Sequence, residues 1–65
     1  MSGKADVDEM IKTRKGKVYE KDGERISAVA DRRGKQIIFH NTTSGGIEFL
    51  SKREAAKRID ALTSA

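Results

Sequence analysis

Hydrophobic spacing changes twice along this chain and divides it into three stretches. Val7, Met10 and Ile11 recur at the intervals of one helical face, behind Asp6 as a candidate cap. From Lys17 to Phe49 the period drops to two: Tyr19, then Ile26, Ala28 and Ala30, then Ile37 and Phe39 occupy one side of half-buried strands. After Leu50 the helical interval returns, with Ala55, Ile59 and Leu62 on one stripe, Ala56 beside it, and Arg53 and Lys57 opposite. Ser51 and Glu54 make a capping-box pair at the start of that stretch, each side chain set to bond the other's backbone N–H, and Leu50 is placed to staple onto Ala55.

The turns set the pairing. Asp22-Gly23 between two short alternating runs predicts a type I′ hairpin, which needs positive φ at both central residues. Lys21 then faces Glu24, Glu20 faces Arg25 and Tyr19 faces Ile26, matching charge with charge and apolar with apolar. A second turn at Arg32-Arg33-Gly34-Lys35, read as a two-residue Arg33-Gly34 loop, sets Ala30 against Ile37 and Ala28 against Phe39. A three-residue loop with a bulge at Gly34 would bury Ile38 instead. Asn41 to Gly46 reads as a polar loop stabilised by its own Asn and Thr side chains, and Ile47-Glu48-Phe49 as a short fourth strand or an extended lead into the helix.

The expected fold is α+β: a three- or four-stranded antiparallel β-meander packed against a C-terminal α-helix. Residues 1–16 form a short N-terminal helix or a basic arm, ended by Gly16, ahead of a single domain at residues 17–65. All three aromatics, Tyr19, Phe39 and Phe49, are assigned to the core. The outer face of the sheet then carries Val18, Glu20, Arg25, Ser27, Val29, Ile38 and His40.

Sixty-five residues allow one small core and no second domain, and without Cys no disulfide can reinforce it, which suits a reducing, cytoplasmic compartment. No apolar run is long enough to span a bilayer, so no membrane role is expected. Lys and Arg number 14 against 10 Asp and Glu, a formal charge of +4 that favours polyanionic partners. The excess is clustered in Lys12-Thr13-Arg14-Lys15-Gly16-Lys17, in Arg32-Arg33-Gly34-Lys35 and in the last helix, while residues 36–50 hold only Glu48 and His40.

Chemistry is sparse. One His, no Cys and no clustered pair of carboxylates outside the expected surface strands give no catalytic constellation and no metal cage, so neither an enzyme nor a cofactor is expected. Ser44-Gly45-Gly46 matches no phosphate-loop fingerprint and reads as a flexible loop. The basic clusters instead suggest nucleic acid, with duplex DNA as the expected partner. Lys12, Arg14, Lys15, Arg32, Arg33 and Lys35 would form a phosphate-contacting rim, Arg25 and Ser27 would read bases, and Arg53, Lys57 and Arg58 would serve as a second contact or as solvated charge. The alternative places function in Val18, Val29 and Ile38, an apolar strip covered by a partner protein, by a second copy of the chain, or by the N-terminal helix through Met10 and Ile11.

Three strands followed by a helix, with Gly34-Lys35 before the third strand and Phe49-Leu50-Ser51-Lys52-Arg53-Glu54-Ala55-Ala56 opening the helix, resembles the arm-type DNA-binding domain of tyrosine recombinases and its AP2-like relatives. The likeness covers residues 17–62 and lacks the Trp often found in those sheets. It implies a sheet laid in the major groove, with Arg25, Ser27, Arg32, Arg33 and Lys35 at the DNA. Function is thus expected to be that of a small non-enzymatic DNA-binding regulatory or accessory protein. The alternative is a phage- or plasmid-type interaction module that blocks a host protein.

Overall fold

The Asp22-Gly23 turn has positive φ at both residues, 53° and 80°. The strands it joins pair Lys21 with Glu24, Glu20 with Arg25 and Tyr19 with Ile26, as the turn type demands. In the computed structural model, which describes residues 2–64, these are β1 (Lys17–Lys21) and β2 (Glu24–Ala30); β3 (Gln36–Asn41) and β4 (Ile47–Ser51) complete an antiparallel sheet in chain order. Helix α1 (Ser2–Thr13) precedes the sheet and α2 (Lys52–Thr63) follows it. The architecture is therefore α+β, with four strands.

Pairing of Ala30 with Ile37 and Ala28 with Phe39 holds the expected face alternation through the second hairpin. Its loop is longer than the two-residue reading, because Asp31 folds it back. The Asp31 carboxylate accepts from the N–H of Lys35 at 2.9 Å and of Gln36 at 3.2 Å, while its carbonyl accepts from Gly34 N–H at 3.1 Å. The bulged alternative is excluded, since Phe39 is buried and Ile38 faces outward opposite Val29 and Phe49. In the third loop Asn41 Oδ1 accepts from the N–H of Thr43 and of Ser44, both at 2.9 Å. With Gly45 N–H donating to the Asn41 carbonyl and Gly46 N–H to Ser44 Oγ at 3.5 Å, the loop's own acceptors take the donors that an anion cradle at Ser44-Gly45-Gly46 would use.

Both helices lie on one side of the sheet. Val7 and Met10 of α1 and Ala55 and Ile59 of α2 close over Tyr19, Ala28, Ile37 and Phe39, with Ile26, Ala30, Leu50 and Leu62 packed around them. The N-terminal segment is thus a core helix and not an arm. It also covers the inner face, so the expectation that Met10 and Ile11 shield the outer strip is overturned: Met10 is fully buried among inner-face side chains. The physical reason is that α2 packs on β1, β3 and β4 and leaves β2 for the apolar stripe of α1 to cover.

Local details of α1 also differ from the sequence reading. The helix begins at Ser2, so Asp6 lies inside it and accepts from Tyr19 Oη at 2.8 Å instead of capping. Burial first, and the Asp6 carboxylate second, raise the Tyr19 hydroxyl well above the usual phenol range. Arg14, not Gly16, ends the helix, in the left-handed region at φ 63°. The two helices approach so closely at Gly3 that a Cβ there would overlap the Ala56 carbonyl oxygen, and Gly3 N–H donates to Asp60 Oδ1 at 2.9 Å. At the start of α2, Ser51 Oγ accepts from Glu54 N–H at 3.2 Å; the return bond of the capping box is not made.

Candidate nucleic-acid interface

The fold brings together cations that are far apart in sequence. Gly34, at φ 69°, rests the β2–β3 turn on the end of α1, where a Cβ would lie 3.3 Å from Ile11 Cγ2. Arg14 Nη1 donates to the Asp31 carbonyl at 2.9 Å and ties the two segments together. Arg14 therefore stands beside the turn that carries Arg32, Arg33 and Lys35, with Lys12 and Lys15 next to it along the chain. Pairing of Gln36 with Ser51 sets the first turn of α2, with Lys52 and Arg53, at the same end of the sheet.

Most of these cations are uncommitted. Among the described residues, the side chains of Lys12, Lys15, Arg32, Arg33, Lys35, Lys52 and Arg53 make no ion pair or hydrogen bond, and all are exposed. Asp31 is the acid set among the two triplets, and its charge is already engaged. Desolvation pushes its carboxyl up, but the N–H groups of Gln36, Lys35 and Gly34 and the Arg14 guanidinium outweigh that and hold it below the usual carboxylate range.

The remaining candidates fall elsewhere. Arg25 is at the other end of β2, roughly 20 Å from the turn at the rise of a strand, so it does not share a site with the phosphate rim. Its guanidinium sits 3.5 Å from Glu20, an exposed pair of little energetic weight. Ser27 Oγ donates to the His40 carbonyl at 3.4 Å. Arg58 is bound by both Glu48 oxygens, at 2.7 and 3.2 Å, which lowers the Glu48 carboxyl and raises the guanidinium pKa. It is withdrawn from the second-contact set. Arg53 and Lys57 line a groove between the helices with Lys4 and Lys52, where Asp8 and Asp60 offset part of the charge.

The outer face of the sheet is uncovered. Val18, Val29 and Ile38 lie on it as expected, and Ile47 and Phe49 extend the strip across all four strands. Phe49 is 60% exposed, so its assignment to the core is wrong. The sequence held the signal: adjacent strand residues face opposite ways, and Leu50 takes the inward place opposite Ile37. Among the described strand residues, Glu20 is the one carboxylate on this face.

Among the described residues no group of three or more His, Asp or Glu could hold a metal ion, and no helix is long and apolar enough to cross a membrane. Comparisons with protein-family models, curated proteins and solved structures give no match.

Proposed function

We propose that this protein binds nucleic acid through the cationic end of its sheet, in a regulatory or accessory role. The observation that carries the reading is the seating of the Arg32-Arg33-Gly34-Lys35 turn on the end of α1 at Ile11 and Arg14, which brings its cations to the segment that holds Lys12, Arg14 and Lys15. Self-repulsion among six exposed cations disfavours such an arrangement unless an anion is to be met there. Phosphate contacts supply affinity without sequence preference. The recombinase-like pattern points the same way, toward duplex DNA. Arg25, loosely held by Glu20, would be the base reader of that mode, at a distance from the rim that one duplex contact must span.

The test is titration of a labelled duplex at two salt concentrations. Affinity should fall steeply from about 50 to 200 mM salt, and each phosphate contact removed in Arg32→Ala, Arg33→Ala or Lys35→Ala should lower the log–log slope by about 0.9. A slope unchanged in the triple variant would count against the rim. The uncovered apolar strip supports a second reading, a protein partner bound on the outer face. That complex would tolerate salt and be lost in Val29→Asp or Ile38→Asp.

A further inference from the structure

We infer that the outer face of the sheet is a platform for unpaired bases, with Phe49 as the stacking residue, so that the preferred ligand is a single strand. This rests on the proposed binding at the cationic end and sets a single strand in place of the duplex that the recombinase-like pattern implies. Phe49 stands 60% exposed on β4, flanked by Ile38 across the ladder and Ile47 along the strand. An aromatic ring held outward on a rigid sheet offers any base a π-face, and the aliphatic neighbours extend the dry surface. Two residues further along the same strand is Ser51, followed at once by Lys52 and Arg53, with Lys35 just beyond Gln36 on the neighbouring strand.

A nucleic-acid backbone that leaves the ring toward Ser51 meets unpaired positive charge as it rounds the end of the sheet, at Lys35 and Lys52. Charge complementarity extends over the platform as well, because its one carboxylate, Glu20, lies on the opposite edge strand and is beside Arg25. A duplex gains little from this surface. Its bases are stacked on one another and show only their edges, whereas the face presents apolar groups where edge readers would be needed, and the Ser27 hydroxyl is engaged by the His40 carbonyl.

The experiment is fluorescence anisotropy on the full chain with three probes of equal length: oligothymidylate, oligouridylate and a mixed-sequence duplex. The variants are Phe49→Ala, Phe49→Tyr and the triple alanine variant at Arg32, Arg33 and Lys35. A Phe this exposed can be truncated with the fold intact, which circular dichroism checks. At least one single strand should bind more tightly than the duplex. Phe49→Ala should weaken that binding about 5- to 150-fold, Phe49→Tyr should retain it, and duplex affinity should not change. The two single strands decide between DNA and RNA.

Equal or tighter duplex binding, with Phe49→Ala neutral and the triple variant defective, overturns the stacking inference and leaves the cationic-end reading standing. Binding of no probe even at low salt overturns both. A concentration-dependent dimer that Phe49→Ala dissolves assigns the face to a second copy of the chain and overturns the inference as well.

Discussion

Replacing Gly3 with Ala sets local preference against tertiary packing, with opposite signs. In a helix Ala is favoured over Gly by about 1 kcal/mol, so α1 taken alone should gain. The packed molecule says otherwise. A Cβ at Gly3 would overlap the Ala56 carbonyl oxygen and lie 2.8 Å from Asp60 Oδ1. The obstacle is backbone, which cannot rotate away, so the helices must separate or shift. Overpacking of this kind costs about 1–3 kcal/mol. Separation also lengthens the 2.9 Å bond from Gly3 N–H to the Asp60 carboxylate, a charge-assisted bond of about 1.5–3 kcal/mol. Set against the propensity gain, the net should be a destabilisation of about 1.5–5 kcal/mol. In a domain of this size that is a fall in Tm of roughly 6 °C or more. Differential scanning calorimetry or thermal circular dichroism reads it. Gly46→Ala is the control, because its Cβ would meet nothing closer than Ser44 Oγ at 3.7 Å, and its Tm should stay close to that of the parent. A Gly3→Ala chain as stable as the parent, or more so, would show that α1 does not cross α2 at this point.

Tyr19→Phe removes the hydroxyl that donates to Asp6 and leaves a half-buried carboxylate without that partner, so urea denaturation should show a loss of about 1–3 kcal/mol; no loss would mean that water replaces the hydroxyl. Acid should destabilise the fold through Glu48 and Asp31. Both carboxyls are held below their ordinary values, Glu48 by the Arg58 bonds and Asp31 by backbone N–H groups against its desolvation, so the folded chain binds fewer protons than the unfolded one. Their contribution is complete above the unfolded values near about 4 and disappears as pH falls through the folded ones. Arg58→Ala should flatten the urea midpoint against pH in that acid window, and a midpoint as steep as the parent's would remove Glu48 from the account.

The β-meander was legible because its information is local. Asp22-Gly23 dictates a turn type, the turn dictates register, and register assigns every side chain on β1 and β2 to a face. Ser51 as N-cap of α2 was equally local. The position of α1 was not, since Val7, Met10 and Ile11 announce an apolar stripe without saying which surface it meets. That choice depends on Gly3 fitting against Ala56 and on Gly34 fitting against Ile11, contacts between residues far apart in the chain. Convergence of the two basic triplets follows from those same contacts, so the rim could be suspected from composition but its assembly could not be read. Phe49 departs from its expected place for a different reason: hydrophobicity does not ensure burial, and alternation with the inward Leu50 assigns it outward.

The formal charge of +4 understates what a polyanion meets at the cationic end. Glu20, Asp22 and Glu24 cluster at the β1–β2 turn, at the opposite end of β2 from Arg32 and Arg33. The molecule extends 30 Å along its longest axis. At physiological salt the Debye length is about 8 Å, so acids some 20 Å away along the strand are screened by more than two such lengths. The approaching phosphate therefore responds to the local group of Lys and Arg and hardly at all to the distant carboxylates. Within that local group Asp31 stays ionised, its carboxylate accepting from the N–H groups of Lys35 and Gln36 while its carbonyl accepts from Arg14 Nη1. The same hydrogen bonds that fold the β2–β3 turn thus also aim the Asp31 carboxylate at the turn's own N–H groups, so that turn geometry and interface electrostatics share a single side chain.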